Sequence, residues 1–256
     1  MTSAAGARPL GALSGLKGLA FLPLHSNAIA VEGVVRAGKA HHRRGDIDFS
    51  LYGIIDCAWL RGRELAAVVE AAIAGGVTMV QYRDKVSSGR VFYENARIAQ
   101  RVCATQRVPF IVNDRLDIAM AVGADGVHVG QEDLPVAVVR RVAGAKMLVG
   151  ASAGTLEEAL AAEAEGADYV GVGAIFPTAT KPDADLSSLQ RLREICEQVR
   201  CPVVAIGGIT AARVAEVMAT GAHGVAVISA LMDGDVRANA RLLRESIRRC
   251  KEVDRR

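Results

Sequence analysis

Eight short clusters of polar residues or glycines recur between residues 51 and 250, and each follows a short apolar stretch. The clusters supply cations, carboxylates, amides, hydroxyls and glycines, but no carboxylate paired with a catalytic histidine. Cations that bind phosphate oxygens, beside carboxylates that bind a hard metal ion, indicate a phosphorylated substrate and a divalent cation such as Mg²⁺. The clusters are Asp56, 81–85, 113–115, 131–133, Ser152, 178–181, 207–208 and Ser229.

Gln81, Arg83 and Lys85 belong to the most highly charged cluster. Alternate residues of a strand point to the same face, so these three share one face if the strand continues to Lys85. Tyr82 and Asp84 then point the other way. Two cations and an amide at one strand end can hold an anion. The alternative is a solvated surface loop, since lysine and arginine are usually exposed.

Two carboxylates follow adjacent apolar stretches. Asn113 and Asp114 come after 109–112, and Asp133 comes after 127–130. On neighbouring parallel strands these acids would lie close together and, beside a cationic cluster, would fit Mg²⁺. The alternative is that Asp114 and Asp133 cap the helices that follow them. Glu132 is a second candidate for the metal ligand.

Ser152 ends the fifth apolar stretch and can donate a hydrogen bond to a phosphate or hold a turn. We do not favour a nucleophilic role, because no base is visible beside it. His128 lies inside a predicted strand and is interpreted as a packed core residue. Cys57 is interpreted as packing, and His223 is assigned no chemistry.

The long segment 176–182 follows the sixth strand and places Thr178, Thr180 and Lys181 between two prolines. This composition is typical of a loop that closes over phosphate, and an ordinary surface loop is the alternative. The last two strands end where many barrels bind phosphate through backbone amides. The residues at these two ends are Gly207, Gly208, Ile228 and Ser229.

Apolar stretches and amphipathic segments alternate eight times, and this order predicts the elements that position the clusters. We predict strands at 51–55, 78–82, 109–112, 126–129, 147–150, 169–172, 203–206 and 225–228. We predict helices at 63–74, 89–105, 116–122, 134–142, 155–165, 186–199, 211–219 and 235–251. Thr155 and Glu158 form a capping box at the start of the fifth helix. A recurring glycine before the next strand, as in 122–127, fits a helix stop.

Eight such units predict an α/β protein, a single (β/α)₈ TIM barrel over residues 49–256. The clusters then meet at the carboxyl ends of the strands, which form the active-site face of such barrels. An open doubly wound sheet is the alternative, but no GxGxxG motif opens the first unit.

Residues 1–48 differ from the rest, and we predict an irregular N-terminal extension that is disordered or lies upstream of the true start; a targeting peptide is not favoured. Of the 31 basic and 28 acidic residues, six and three lie in this extension, which leaves 25 of each sign in the barrel. This balance argues against a nucleic-acid partner.

Five scattered cysteines, with no CxxC pair, indicate reduced thiols and a cytoplasmic protein. No apolar run reaches the length of about 18 residues that a membrane helix needs. We therefore expect small-molecule substrates and no membrane partner, and we leave a homo-oligomer open.

At its motifs the chain resembles the thiamine phosphate synthase family, over about residues 50–250. The resemblance implies that a hydroxymethylpyrimidine diphosphate loses pyrophosphate and is attacked by the nitrogen of a thiazole phosphate. The matching stretches are VQYRDK (80–85), VNDR (112–115), GVHVGQED (126–133), YVGVGAIFPTATK (169–181), VAIGGI (204–209) and GVAVIS (224–229).

The resemblance also implies roles for individual residues. Asp114 and Asp133 would hold Mg²⁺, and Arg83, Lys85, Ser152 and Lys181 would act in catalysis. The residues implied to bind the pyrimidine diphosphate are Gln81, Arg83, Lys85, Asn113, Ser152 and Lys181. Those implied to bind the thiazole phosphate are Thr178, Thr180, Gly208, Ile228 and Ser229. Gly207, which precedes Gly208, is also expected to bind substrate.

The chain departs from the family pattern at Tyr82 and Asp84, where leucine and glutamate are usual, and in a shorter loop after Lys181. The side chains of Tyr82 and Asp84 should face away from the site. Two other functions compete with the synthase. A thiazole tautomerase on the same barrel should lack the metal carboxylates, and a non-catalytic sensor of phosphorylated thiamine precursors would not need them.

Overall fold

The computed structural model describes residues 47–178 and 187–253, which contain a closed barrel of eight parallel strands. Each strand pairs with the next, and β1 closes the barrel by pairing with β8, Leu51 opposite Val225. The predicted TIM barrel is therefore confirmed, and the open sheet is wrong. The strands are β1 Leu51–Asp56, β2 Met79–Arg83, β3 Phe110–Asn113, β4 Gly126–Val129, β5 Leu148–Ala153, β6 Tyr169–Val172, β7 Val203–Ile206 and β8 Gly224–Val227.

Helices follow the strands and cover the outside of the barrel. Two short elements were not predicted: a 3₁₀ turn at Cys57–Trp59 and the four-residue helix α8. The helices are α1 Leu65–Ala74, α2 Gly89–Gln106, α3 Leu116–Val122, α4 Val136–Ala143, α5 Leu156–Ala164, α6 Leu189–Gln198, α7 Val214–Met218, α8 Ser229–Met232 and α9 Val236–Val253. None of the helices that the structure describes is long and apolar enough to cross a membrane.

Local side-chain bonds explain where several helices begin. The predicted capping box is present, since Thr155 and Glu158 exchange bonds at the start of α5. Helix α6 begins at Leu189, three residues later than predicted, because Ser188 caps it by accepting from the amide of Arg191. Gly123 has a φ of 67° and ends α3 as predicted.

Strand β5 is longer than predicted, because it continues through Ser152 to Ala153 instead of ending at Gly150. Ser152 is thus an internal strand residue. The prediction ended the strand where apolar residues stop, but here the polar side chain has a partner inside the barrel. That partner is described below.

Two apolar clusters hold the fold together. The larger one lies between the strands and the helices, and the smaller one fills the barrel interior. Phe49 closes the amino end of the interior, with its ring centroid 5.2 Å from that of Tyr169. The interior cluster comprises Phe49, Tyr52, Ile54, Met79, Ile111, Leu148, Tyr169, Val204 and Ala226.

The described chain contacts the barrel from its first residues. Ile47 packs against the interior cluster. Asp48 accepts hydrogen bonds from the Ser50 amide at 2.9 Å and from Arg244 of α9 at 3.0 Å. The predicted extension 1–48 lies outside the described residues except for Ile47 and Asp48, so its irregular character stays a prediction.

Candidate active site

Arg83 ends β2, and Lys85 lies two residues beyond it, so the strand does not continue to Lys85 as the prediction required. Arg83 forms an ion pair with Asp56 of β1, and Lys85 forms one with Asp114 after β3. Tyr82 points outward and donates to Asp84 at 3.0 Å. The cationic cluster is therefore held in place by acids from both neighbouring strands.

Asp114 and Asp133 lie next to each other, although they follow different strands. Burial raises the pKa of Asp114, and the neighbouring Asp133 raises it further, while Lys85 opposes both effects. Asp133 accepts a hydrogen bond from the Gly130 amide at 2.7 Å. The sequence analysis thus grouped two acids that do share one site.

The capping interpretation of these acids is wrong. Helix α3 begins after Arg115 and α4 begins after Pro135, and neither start has a side-chain cap. Asp114 itself has a φ of +61°, a left-handed conformation that is uncommon outside glycine. Such conformations cluster at functional sites, because the surrounding structure has to hold them.

The donor chemistry of the pair fits Mg²⁺. Two neighbouring carboxylates repel each other, and a divalent cation removes that repulsion. Among the described residues, no group of three or more histidine, cysteine or acidic side chains could hold a metal. A two-carboxylate site suits Mg²⁺, which fills its remaining positions with water and substrate phosphate. Glu132 is exposed, which favours Asp133 as the ligand.

A chain of side-chain hydrogen bonds crosses the barrel interior and joins five strands. Gln81 Nε2 donates to the Tyr52 hydroxyl at 2.7 Å, and the Tyr52 and Tyr169 hydroxyls lie 2.9 Å apart. His128 Nδ1 lies 3.1 Å from the Tyr169 hydroxyl. His128 Nε2 lies 3.0 Å from Ser152 Oγ. We call these five residues the interior chain.

The interior chain corrects two statements of the sequence analysis. A histidine does stand beside Ser152, and His128 is a hydrogen-bonded residue of the barrel interior, not merely a packed one. Burial lowers the pKa of His128 to about 4, although Asp133 opposes this. Its Nδ1 faces a tyrosine and not a carboxylate, so the pair lacks the third member of a hydrolase triad.

Two glycines make room for the interior chain. A Cβ atom at Gly150 would lie 2.5 Å from His128 Nδ1, and one at Gly171 would lie 3.2 Å from His128 Cε1. The sequence signal for the chain was therefore present but weak: a histidine and a serine facing inward on adjacent strands, with glycine opposite them.

Gly207 and Gly208 form a left-handed turn after β7, with φ of +101° and +62°. The loop after β6 lies directly against it, because the Phe176 amide donates to the Gly207 carbonyl at 3.1 Å. Arg213 joins the two segments: Nη1 donates to the Gly208 carbonyl at 2.8 Å, and its guanidinium lies 4.3 Å from the centroid of the Phe176 ring. Sequence reasoning did not single out Arg213.

The remaining predicted residues are distributed around the same end of the barrel. Asn113 is buried at the end of β3, and Thr178 is half-buried after β6. Ile228 and Ser229 form the start of α8. Thr180 and Lys181 lie outside the described residues, so their roles stay predictions.

Comparisons with known proteins agree on one family. Residues 51–231 match the family model described as thiamine monophosphate synthase. The thiamine-phosphate synthase of Chloroflexus aurantiacus is 53% identical over 200 residues, which cover 77% of this chain and 92% of that protein. That of Caldanaerobacter subterraneus subsp. tengcongensis is 49% identical over 208 residues, covering 80% and 97%.

A solved structure supports the same assignment. The thiamine phosphate pyrophosphorylase from Pyrococcus furiosus superposes with a TM-score of 0.74 at 41% sequence identity. The match covers 80% of this chain and 98% of that one.

Proposed function

Since the chain belongs to the thiamine monophosphate synthase family and is a transferase of that kind, we propose how its strand-end site performs the synthase reaction. The site would bind a hydroxymethylpyrimidine diphosphate and a thiazole phosphate together. The observation that carries this proposal is the position of Arg83 and Lys85, which are paired with acids from neighbouring strands at the active-site end of the barrel. These cations match the charge of a leaving diphosphate.

The reaction would begin with cleavage of the bond between the pyrimidine methylene carbon and the diphosphate oxygen. The diphosphate leaves with the bonding electron pair, and the pyrimidine amino group stabilises the resulting carbocation. The nitrogen of the thiazole then donates its lone pair to the methylene carbon. Thiamine phosphate and pyrophosphate are the products, and no proton needs to be removed by a side chain.

Positioning and charge therefore account for the catalysis. Arg83, Lys85, Ser152 and Lys181 would hold and neutralise the diphosphate. Asp114 and Asp133 would hold Mg²⁺, which when bound adds positive charge against the leaving group. The paired carboxylates support this, because each carries charge that a divalent cation would balance.

The two substrates would occupy different sectors of the strand ends. Gln81 and Asn113 would join the cations around the pyrimidine diphosphate. The turn at Gly207 and Gly208 would offer backbone amides to a phosphate, and its positive φ values favour glycine at both positions. The residues proposed for the thiazole phosphate are Thr178, Thr180, Gly207, Gly208, Ile228 and Ser229.

A turnover assay tests the proposal. Purified protein is mixed with both substrates, in Mg²⁺ or in EDTA, and thiamine phosphate and pyrophosphate are measured. We expect both products in Mg²⁺ and none in EDTA. Absence of product in Mg²⁺ from folded protein would contradict the proposal, and isomerisation of the thiazole phosphate alone would identify the tautomerase. Binding without any turnover would identify the sensor.

We also propose that the enzyme works in the cytoplasm on small molecules, without a nucleic-acid partner. All five cysteines are free, which supports a reducing compartment. The equal numbers of basic and acidic residues outside the extension support the absence of a nucleic-acid surface. A homo-oligomer is compatible with this proposal, and light scattering would measure the oligomeric state.

A further inference from the structure

The interior chain links two residues that the proposed function assigns to one substrate, Gln81 and Ser152. Three residues without an assigned role lie between them: Tyr52, Tyr169 and His128. All four hydrogen bonds measure between 2.7 and 3.1 Å. The chain therefore connects opposite parts of the pyrimidine diphosphate site through the barrel interior.

The direction of the bonds follows from the first donor and from the cost of a buried hydroxyl proton without an acceptor. Gln81 Nε2 can only donate, so the Tyr52 oxygen accepts from it. Tyr52 then donates its own proton to Tyr169, because that proton would otherwise be left without an acceptor in the barrel interior. Tyr169 then donates to His128 Nδ1. Burial raises the pKa of both tyrosines, which keeps their protons in place.

The tautomer of His128 follows from the same hydrogen bonds. A neutral imidazole that accepts at Nδ1 carries its proton on Nε2. Nε2 therefore donates to Ser152 Oγ. The serine hydroxyl keeps its own proton free for a third group, and the expected third group is an anionic oxygen of the ligand.

The orientation of the Gln81 amide, at the other end of the interior chain, is set as well. The bond from Nε2 of Gln81 to Tyr52 sets the orientation of the amide, and its Oε1 is free to accept a hydrogen bond from a ligand. No donor among the described residues is bonded to Oε1 of Gln81, although the residue as a whole is only 2% exposed. Oε1 can therefore accept a hydrogen bond from a ligand at the wall of the site.

We propose that Tyr52, Tyr169 and His128 are positioning residues that make Gln81 a hydrogen-bond acceptor and Ser152 a donor toward the ligand. The chemistry that this pattern recognises is a ring amino group at Gln81 and a phosphate oxygen at Ser152. The inference rests on the proposed function for the identity of the ligand, but the direction of the chain does not depend on it.

The first test is spectroscopic and needs no substrate. In full-length protein with ¹⁵N-labelled histidine, a long-range ¹H–¹⁵N spectrum at neutral pH reports the tautomer of each ring. The His128 signals are identified by their loss in His128→Gln. We expect the Nε2–H tautomer, whereas an Nδ1–H tautomer or an imidazolium would overturn the proposal.

The second test uses a matched pair of variants. Tyr169→Phe removes the central hydroxyl and keeps the ring, while Tyr82→Phe removes a buried hydroxyl that bonds outward to Asp84. For Tyr169→Phe we expect KM for the pyrimidine diphosphate to rise about tenfold and kcat to change less than about twofold, because an oriented ground-state contact is lost. KM for the thiazole phosphate should not change.

The control and a third variant complete the experiment. Tyr82→Phe should leave both KM values unchanged, and an equal rise in both variants would overturn the proposal. If Tyr169→Phe does not fold, Tyr52→Phe replaces it: KM should rise, but the His128 tautomer should persist because Tyr169 can still donate. If wild-type protein shows no turnover, the proposed function fails, while the tautomer still decides the direction of the chain.

Discussion

Asp114 combines a strained backbone with a carboxylate neighbour. Its φ of +61° costs free energy in any residue with a Cβ, although aspartate and asparagine tolerate it best. Its amide is fixed by a 2.7 Å bond to the His128 carbonyl. The backbone therefore aims this side chain at Asp133 and Lys85 at the expense of local stability, as is common in functional sites.

We expect Asp114→Asn to fold normally and to lose about 100-fold or more of its Mg²⁺-dependent turnover. Asparagine accepts the same backbone conformation, but it removes one of the two charges that would hold the metal. Initial rates over a Mg²⁺ titration measure the loss, and thermal unfolding checks the fold. Asp117→Asn is the matched control, because Asp117 is an exposed residue whose carboxylate pairs with Arg115. Near wild-type turnover in Asp114→Asn would contradict the metal assignment.

Residue types alone predicted much of the site, but not its interior. Alternation along β2 correctly placed Gln81 and Arg83 on one face, because a strand has a fixed period of two, but β2 ends at Arg83 and Lys85 lies beyond it. Tyr52 and Tyr169 were not predicted, because they belong to strands far apart in the sequence. Their hydroxyls meet only once the barrel has closed, and no local pattern reports the distance across it.

At the scale of elements, the positions and lengths of the strands could be predicted closely, with β5 as the exception. The other seven strands begin and end within one residue of the prediction. Strand β5 was predicted too short, because its last residues include a polar side chain, Ser152, that forms a hydrogen bond with His128 inside the barrel. Helix α7 was predicted too long, since the stretch before Val214 forms a turn.

The turn after β7 and the loop after β6 behave as one unit, and Arg213 joins them. We expect Arg213→Met to raise KM for the thiazole phosphate roughly five- to tenfold, because one hydrogen bond to Gly208 and one cation–π contact with Phe176 are lost. Arg213→Lys should give a smaller rise, since lysine keeps the charge but not the planar donor pair. Steady-state kinetics with each substrate varied in turn measure both.

A control separates this effect from the loss of any surface arginine. Arg193 of α6 also approaches a backbone carbonyl, that of Ala219 at 3.4 Å, but it does not contact the turn after β7. Arg193→Met should therefore leave KM unchanged. If Arg213→Met raises only KM for the pyrimidine diphosphate, the turn after β7 binds that substrate and not the thiazole phosphate.

At the scale of the whole molecule, closure of the barrel gathers the eight clusters into one site. The number of units predicted this closure, because eight βα units suit a closed barrel. The amino end of the barrel could not be predicted in the same way. Phe49 fills the interior there and Ile47 packs against it, while Asp48 bonds to Arg244 of α9, although Ile47 and Asp48 were assigned to the extension. No strand or helix pattern marks these contacts.

These contacts make the boundary of the extension measurable. Deletion of residues 1–46 should leave turnover and thermal stability unchanged, because every residue with a proposed role, from Tyr52 onward, lies in the barrel, and Ile47 is the first described residue that contacts it. Deletion of residues 1–48 should keep the activity at 25 °C but lower the free energy of unfolding by about 1–2 kcal/mol. This loss reflects the partly buried Ile47 and the bonds of Asp48 to Ser50 and Arg244.

Denaturant unfolding of the two truncated proteins and the full chain measures the difference. Equal stability of the two truncated proteins would show that the barrel does not depend on these two residues, and an inactive 1–46 deletion would show that the extension takes part in the function.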